Sequence, residues 1–220
     1  MFESLTVNWP YLLVSLVLLW APRFWLRTGK RVLKRRRKPD GALEQLAGVG
    51  ARNPEDRSVH PGKEFATFRN YIDLFRALVG SYGLHEYGLV ATTPSGELTE
   101  FLLVAVALLI GVLIQSIRFA DRLSFFAAIF YLLGLSTGSM EHYASLFAFA
   151  LVLAINPILA NARMFISAHG VLLAVFGVVF SADRKMLAVN VFLFLLIPLL
   201  SLLSKRPVVI FSRKSKSGAK

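Results

Sequence analysis

The chain has 220 residues, 55% of them hydrophobic and only 17% charged, with 18 phenylalanines and no cysteine. Without thiols it can form no disulfide, no cysteine-ligated zinc site and no iron–sulfur cluster. Its 25 Lys and Arg against 13 Asp and Glu leave a formal net charge of +12. On so apolar a chain that excess points to positive-inside topology and anionic lipid headgroups, not to nucleic acid.

Residues 1–22 read as a first transmembrane span. Leu5–Ala21 is apolar apart from Asn8 and Pro10, and Trp9, Tyr11, Trp20 and Trp25 stand near its ends, where an aromatic belt belongs. The acidic Glu3 precedes it and positive charge follows. That is the reverse of a cleaved signal, and it predicts an uncleaved span with its N-terminus outside.

Residues 23–97 change character twice. Arg23, Arg27, Lys30, Arg31, Lys34, Arg35, Arg36, Arg37 and Lys38 form a basic stretch without an acid. It is expected to act as a topology anchor and to attract anionic headgroups. Pro39, Pro54 and Pro61, with Gly41, Gly48, Gly50 and Gly62, mark a linker holding at most a short helix at Ala42–Ala47. Phe65, Phe68, Ile72, Phe75, Val79 and Tyr82 then recur at spacings of three and four. Lys63, Arg69, Asp73 and Arg76 lie between them. The pattern predicts a cytoplasmic amphipathic helix, lying on the membrane, covering the end of the bundle or docking a partner.

Residues 98–204 hold five apolar segments: Leu98–Ile117, Leu123–Ser139, Tyr143–Ile158, Phe165–Phe180 and Met186–Leu203. A hydrocarbon core of about 30 Å takes about 20 helical residues. Helices satisfy their own backbone in lipid, and no alternating barrel pattern is present. The fold class is therefore an all-α polytopic membrane bundle of six apolar segments, five or six of them spanning. Residues 205–220 read as a basic flexible tail. Six crossings would put that tail opposite the basic stretch after the first span, against the positive-inside tendency. Phe165–Phe180, short and carrying His169, Gly170 and Gly177, is the segment expected to be re-entrant if one does not cross.

The motifs are sparse. Gly134-Leu-Ser136-Thr-Gly138 has the spelling of a nucleophile elbow, but that motif needs a strand before it and a helix after it. Inside an apolar helix, Gly134 and Gly138 read as a small-residue packing contact, as do Ala107 and Gly111. Four positions are candidate polar contacts within the membrane: His169, Asn156, Asn190 and Ser136. The four histidines lack metal-ligand spacing, so no metal or cofactor is expected, and no catalytic residue is assigned. Apart from Glu100 near the start of Leu98–Ile117, the segments contain no Asp, Glu, Lys or Arg, which argues against ion-coupled transport. The expected function is a non-catalytic scaffold, assembly factor or accessory subunit of a membrane complex. The expected setting is a bacterial inner membrane, with a protein partner there or self-association. The alternatives are a carrier or channel for an uncharged or lipidic solute, and an intramembrane hydrolase using Ser136 and His169.

Overall fold

The computed structural model describes residues 5–22, 59–119, 123–140, 142–180, 182–206 and 208–210. The basic stretch from Arg23 to Lys38, the linker helix expected at Ala42–Ala47 and the tail beyond Ile210 lie outside the described residues. In chain order the elements are β1 (Leu5–Val7), α1 (Trp9–Trp20), α2 (Pro61–Phe65) and α3 (Phe68–Gly83). A π-helical turn (Leu84–Gly88), β2 (Leu89–Ala91), α4 (Pro94–Ser116), β3 (Ile117–Phe119) and β4 (Leu123–Phe126) follow. The chain continues through α5 (Ile129–Ser139), α6 (His142–Ile155), a 3₁₀ turn (Asn156–Ile158), α7 (Ala162–Val179), α8 (Arg184–Leu203) and β5 (Val208–Val209).

Three of these helices are long and apolar enough to cross a membrane: α4 with 23 residues, α7 with 18 and α8 with 20. Their starts are signalled locally. Pro94 opens α4, where its missing N–H costs nothing. Asn161 caps α7 by accepting from the Met164 N–H at 2.9 Å, and the Asp183 carboxylate accepts from Lys185 and Met186 at the head of α8. The Asn161 cap corrects the reading of Phe165–Phe180 as a short segment. The helix starts at Ala162 and runs unbroken to Val179.

Leu123–Ser139 is not one helix. Its first residues form β4, antiparallel to β3 and parallel to β5, with Phe125 opposite both Ile117 and Val208. An apolar run does not by itself separate strand from helix, and here the edges of β3 and β5 take the backbone. A second ribbon pairs β1 with β2, Leu5 opposite Ala91. The all-α expectation therefore needs amendment by two small sheets, each gathering helix ends. The β1–β2 ribbon joins the start of α1 to the end of the π-helical turn and the start of α4. The three-stranded sheet joins the end of α4 to the start of α5 and the end of α8.

The largest departure concerns α3. It is not laid beside the bundle. It threads between α1 and α5, and its contact with α5 is the most extensive between any two elements described. Its polarity is inside out. Asn70, Asp73, Arg76 and Ser81 are buried, Asp73 being 3% and Arg76 6% exposed, while Phe68 is 75% and Phe75 61% exposed. The periodicity that predicted an amphipathic helix is real, but the apolar face looks outward and the polar face inward. Glycines allow this close packing. A Cβ at Gly134 would collide with the Leu74 carbonyl oxygen, and one at Gly138 with those of Leu78 and the Ser81 hydroxyl. On the opposite side Gly80 and Gly83 leave room for Ser15, Leu18 and Leu19 of α1. Bare backbone on two sides is what small residues provide between membrane helices.

A buried polar cluster at the end of the first helix

Helix α1 ends at Trp20 inside the bundle, so its last carbonyls must find donors there. Three side chains from three elements supply them. The Arg76 guanidinium of α3 donates to the carbonyls of Leu18, at 3.4 Å, and Ala21. The Gln115 amide of α4 donates to Ala21 at 3.0 Å and Leu19 at 3.4 Å. The Tyr131 hydroxyl of α5 donates to Leu19 at 3.0 Å. A cation at a helix C-terminus also answers the helix dipole. Arg76 is neutralised by Asp73 one turn earlier, Nε to Oδ1 at 2.9 Å, and its guanidinium carbon stands 5.3 Å from the centre of the Tyr131 ring. The Trp20 indole donates to the Ala107 carbonyl at 2.9 Å. A side chain at Gly111 would meet the Tyr131 hydroxyl. Ala107 and Gly111 thus lie where α4 receives the end of α1.

A second polar layer ties α5 to its neighbours. The Ser136 hydroxyl lies 2.6 Å from that of Ser145 on α6, and Thr137 lies 3.0 Å from it. Ser136 also donates to the Leu133 carbonyl of its own helix. Asn190 on α8 donates to the Ser139 hydroxyl at 2.9 Å and to the Met186 carbonyl at 2.9 Å. His169 is buried between Phe149 and Phe194, their ring centres 5.6 and 4.4 Å away, and hydrogen-bonds the Ser145 backbone. Its Nε2 is without a partner among the described residues. Asn156 is not at the middle of a span. It starts the 3₁₀ turn after α6 and donates to the Val59 carbonyl at 2.8 Å, clasping the segment that leads into α2.

Of the four candidate polar positions, the structure brings Ser136 and His169 to a common neighbour, Ser145, without a hydrogen bond between them. Asn190 lies at the α5–α8 contact and Asn156 at one end of the bundle. Gln115 and Tyr131 are missed by the sequence pattern, and Asp73 and Arg76 enter it only as polar residues between the apolar ones of the amphipathic helix. The signal was present: Asp73 and Arg76 stand one turn apart, and Asn70 and Ser81 extend the same face. The pattern leaves open whether that helix lies on the membrane, covers the end of the bundle or docks a partner, and none of these turns its polar face into the bundle. Outside the bundle, Leu18, Phe68, Tyr71, Ile72, Phe75 and Val79 line an open apolar groove of about 450 Å³ with Arg76. No group of three or more His, Cys, Asp or Glu suited to a metal occurs among the described residues.

Three helices of this length and composition fit an integral membrane protein. Comparison with protein-family models, with curated proteins and with solved structures finds no match to the chain.

Proposed function

We propose that this protein is a non-catalytic subunit, acting as scaffold, assembly factor or accessory component, of a complex in a bacterial inner membrane. The observation that carries the reading is the use made of the buried charge. Arg76 is turned on Asp73 and on the carbonyls of α1, with the Tyr131 ring of α5 beside its guanidinium, so the pair is spent where three helices meet. A transporter or enzyme would aim such groups at a substrate. Ser136, Asn190 and His169 are closed between helices and bonded to helix neighbours, so the hydrolase and carrier readings draw less support. Anionic lipid headgroups remain the expected partners of the basic segments.

The proposed threading has seven passes, α1, α3, α4, α5, α6, α7 and α8, in which the short α1, α5 and α6 cross together with the residues that adjoin them, β1, β4 and the 3₁₀ turn. Helix α3 with its π-helical turn runs from Phe68 to Gly88, about 31 Å at 1.5 Å per residue, enough for the hydrocarbon core. Neighbouring contacts support alternating directions. Gly177 meets Leu187 while Gly170 meets Phe194, so α7 and α8 are antiparallel, and Gly134 and Gly138 meet Leu74 and Leu78, so α3 and α5 run the same way. Lys185 and Glu97, 3.9 Å apart, put the starts of α8 and α4 at one end. By connectivity, every Lys and Arg except Arg184, Lys185 and the buried Arg76 then falls on one side, as the positive-inside rule requires. Both basic segments share the cytoplasm without any re-entrant segment. Exposed Trp9, Tyr11, Tyr82 and Tyr87 gather at the opposite end, suited to an interfacial belt.

The test is co-purification of the tagged chain from its native membrane in mild detergent. A defined partner in stoichiometric amount supports the subunit reading. Recovery of the chain alone counts against it and moves attention to flux and cleavage assays with His169→Ala and Ser136→Ala.

A further inference from the structure

Helix α3 is not among the helices whose composition alone suits them to cross a membrane. Asn70, Asp73, Arg76 and Ser81 all lie on its length, and a lone helix would present them to lipid. What removes that penalty is not local. Arg76 reaches the carbonyls of α1, from 55 residues earlier in the chain. The backbone of Leu74 and Leu78 lies on Gly134 and Gly138 of α5, which is synthesised only after α3 and α4 have both been made. Tyr131, which covers the Arg76 guanidinium and bonds α1, also belongs to α5. The chain therefore makes a polar helix before it makes the surface that buries the polar face.

We infer that α3 enters the membrane late, as a folding step and not by its own hydrophobicity, and that the glycine shelf of α5 together with the carbonyl end of α1 draws it in. The inference rests on the seven-pass reading. It assigns Gly134 and Gly138 a role beyond tight packing: they decide on which side the segment between α3 and α4 resides. Before α5 docks, α3 waits at the cytoplasmic face with its apolar side on the bilayer, the posture its sequence pattern suggests, and the start of α4 waits there with it, so that α5 already runs in its final direction and α3 and α4 cross together as a hairpin. Docking then inverts its surroundings: the polar face is covered by protein and the apolar face by lipid.

The absence of cysteine makes the test direct. Ser95→Cys places one thiol on the exposed start of α4, and Arg206→Cys places one after α8. Intact cells are treated with a membrane-impermeant maleimide, with and without permeabilisation, and label is measured on the membrane-extracted full chain. Ser95→Cys in the otherwise native chain should label from outside and Arg206→Cys only after permeabilisation. If Ser95→Cys labels only after permeabilisation, the seven-pass reading fails and the inference with it. With Gly138→Leu added, outside label at Ser95→Cys should fall at least fivefold relative to total label. Unchanged outside label overturns the late-insertion inference and leaves the seven-pass reading standing. A lowered label through general misfolding is separated by Asp73→Leu and Arg76→Leu in the Gly138→Leu background. These make α3 apolar enough to insert unaided, so outside label should return to at least half the native value. Failure to return it overturns the inference.

Discussion

Arg76→Leu removes the charge that Asp73 faces and two of the bonds that close α1, in a place water does not reach. Taking one partner from a buried ion pair costs about 3–5 kcal/mol, because the other charge is left uncompensated. The unfolded chain in a micelle also offers polar partners, which lowers the apparent cost. The expected loss is therefore near the lower end, about 3 kcal/mol for Arg76→Leu and a similar figure for Asp73→Leu. Replacing both charges with leucine removes the desolvated charge altogether and leaves only the lost bonds to the α1 carbonyls, which Gln115 and Tyr131 partly cover. The double variant should cost no more than either single one, giving an interaction of about 3 kcal/mol in the cycle. Reversible unfolding in mixed detergent and dodecyl sulfate micelles, followed by tryptophan fluorescence, measures all four states. Singles that cost under about 1 kcal/mol, the scale of an exposed pair, would show that the pair is solvated. A double variant equal to the sum of the singles would show that Asp73 and Arg76 do not act together.

The geometry also sets the outcome of five other substitutions. Gly134→Ala should destabilise by about 2 kcal/mol or more in the same titration, since its methyl group meets the Leu74 backbone and no side chain can move aside. Gly62→Ala, with nothing within 4 Å, should be neutral or stabilise by up to about 1 kcal/mol. Phe75→Lys places a charge on the outward face of α3 and should lower the amount recovered in the membrane fraction, at an insertion cost of about 2.5–3.5 kcal/mol. A water-facing helix would absorb the change within about 0.5 kcal/mol. His169→Ala should cost about 2–3 kcal/mol by leaving a cavity between Phe149 and Phe194, and Ser136→Ala about 0.6 kcal/mol. Neither should change which partner co-purifies, and loss of the partner from a stably folded His169→Ala protein would refute the structural role given to that ring.

The long spans were legible because their signal is local. Leu98–Ile117 and Met186–Leu203 lie within about four residues of α4 and α8 at each end. The Asn161 cap that lengthens α7 is local too, whereas the strand that shortens α5 pairs Phe125 with nearby Ile117 and with Val208, far along the chain. The polar cluster was harder to see. Gln115 and Tyr131 look ordinary in an apolar run, and nothing near them announces that the carbonyls of Leu19 and Ala21 lie within reach.

Composition by itself pointed to a lipid setting and to helices for most of the apolar runs, because unpaired backbone is too costly in hydrocarbon; the start of Leu123–Ser139, paired as β4, is the exception. It also determined that Phe68–Gly83 has two unlike faces. Only the tertiary structure decided which face meets which surroundings. Periodicity records that two faces differ but carries no sign. Here the sign is set by bare backbone at Gly134 and Gly138 and by the open carbonyl end of α1, which lie far away in sequence and make the inside of the bundle the more polar place.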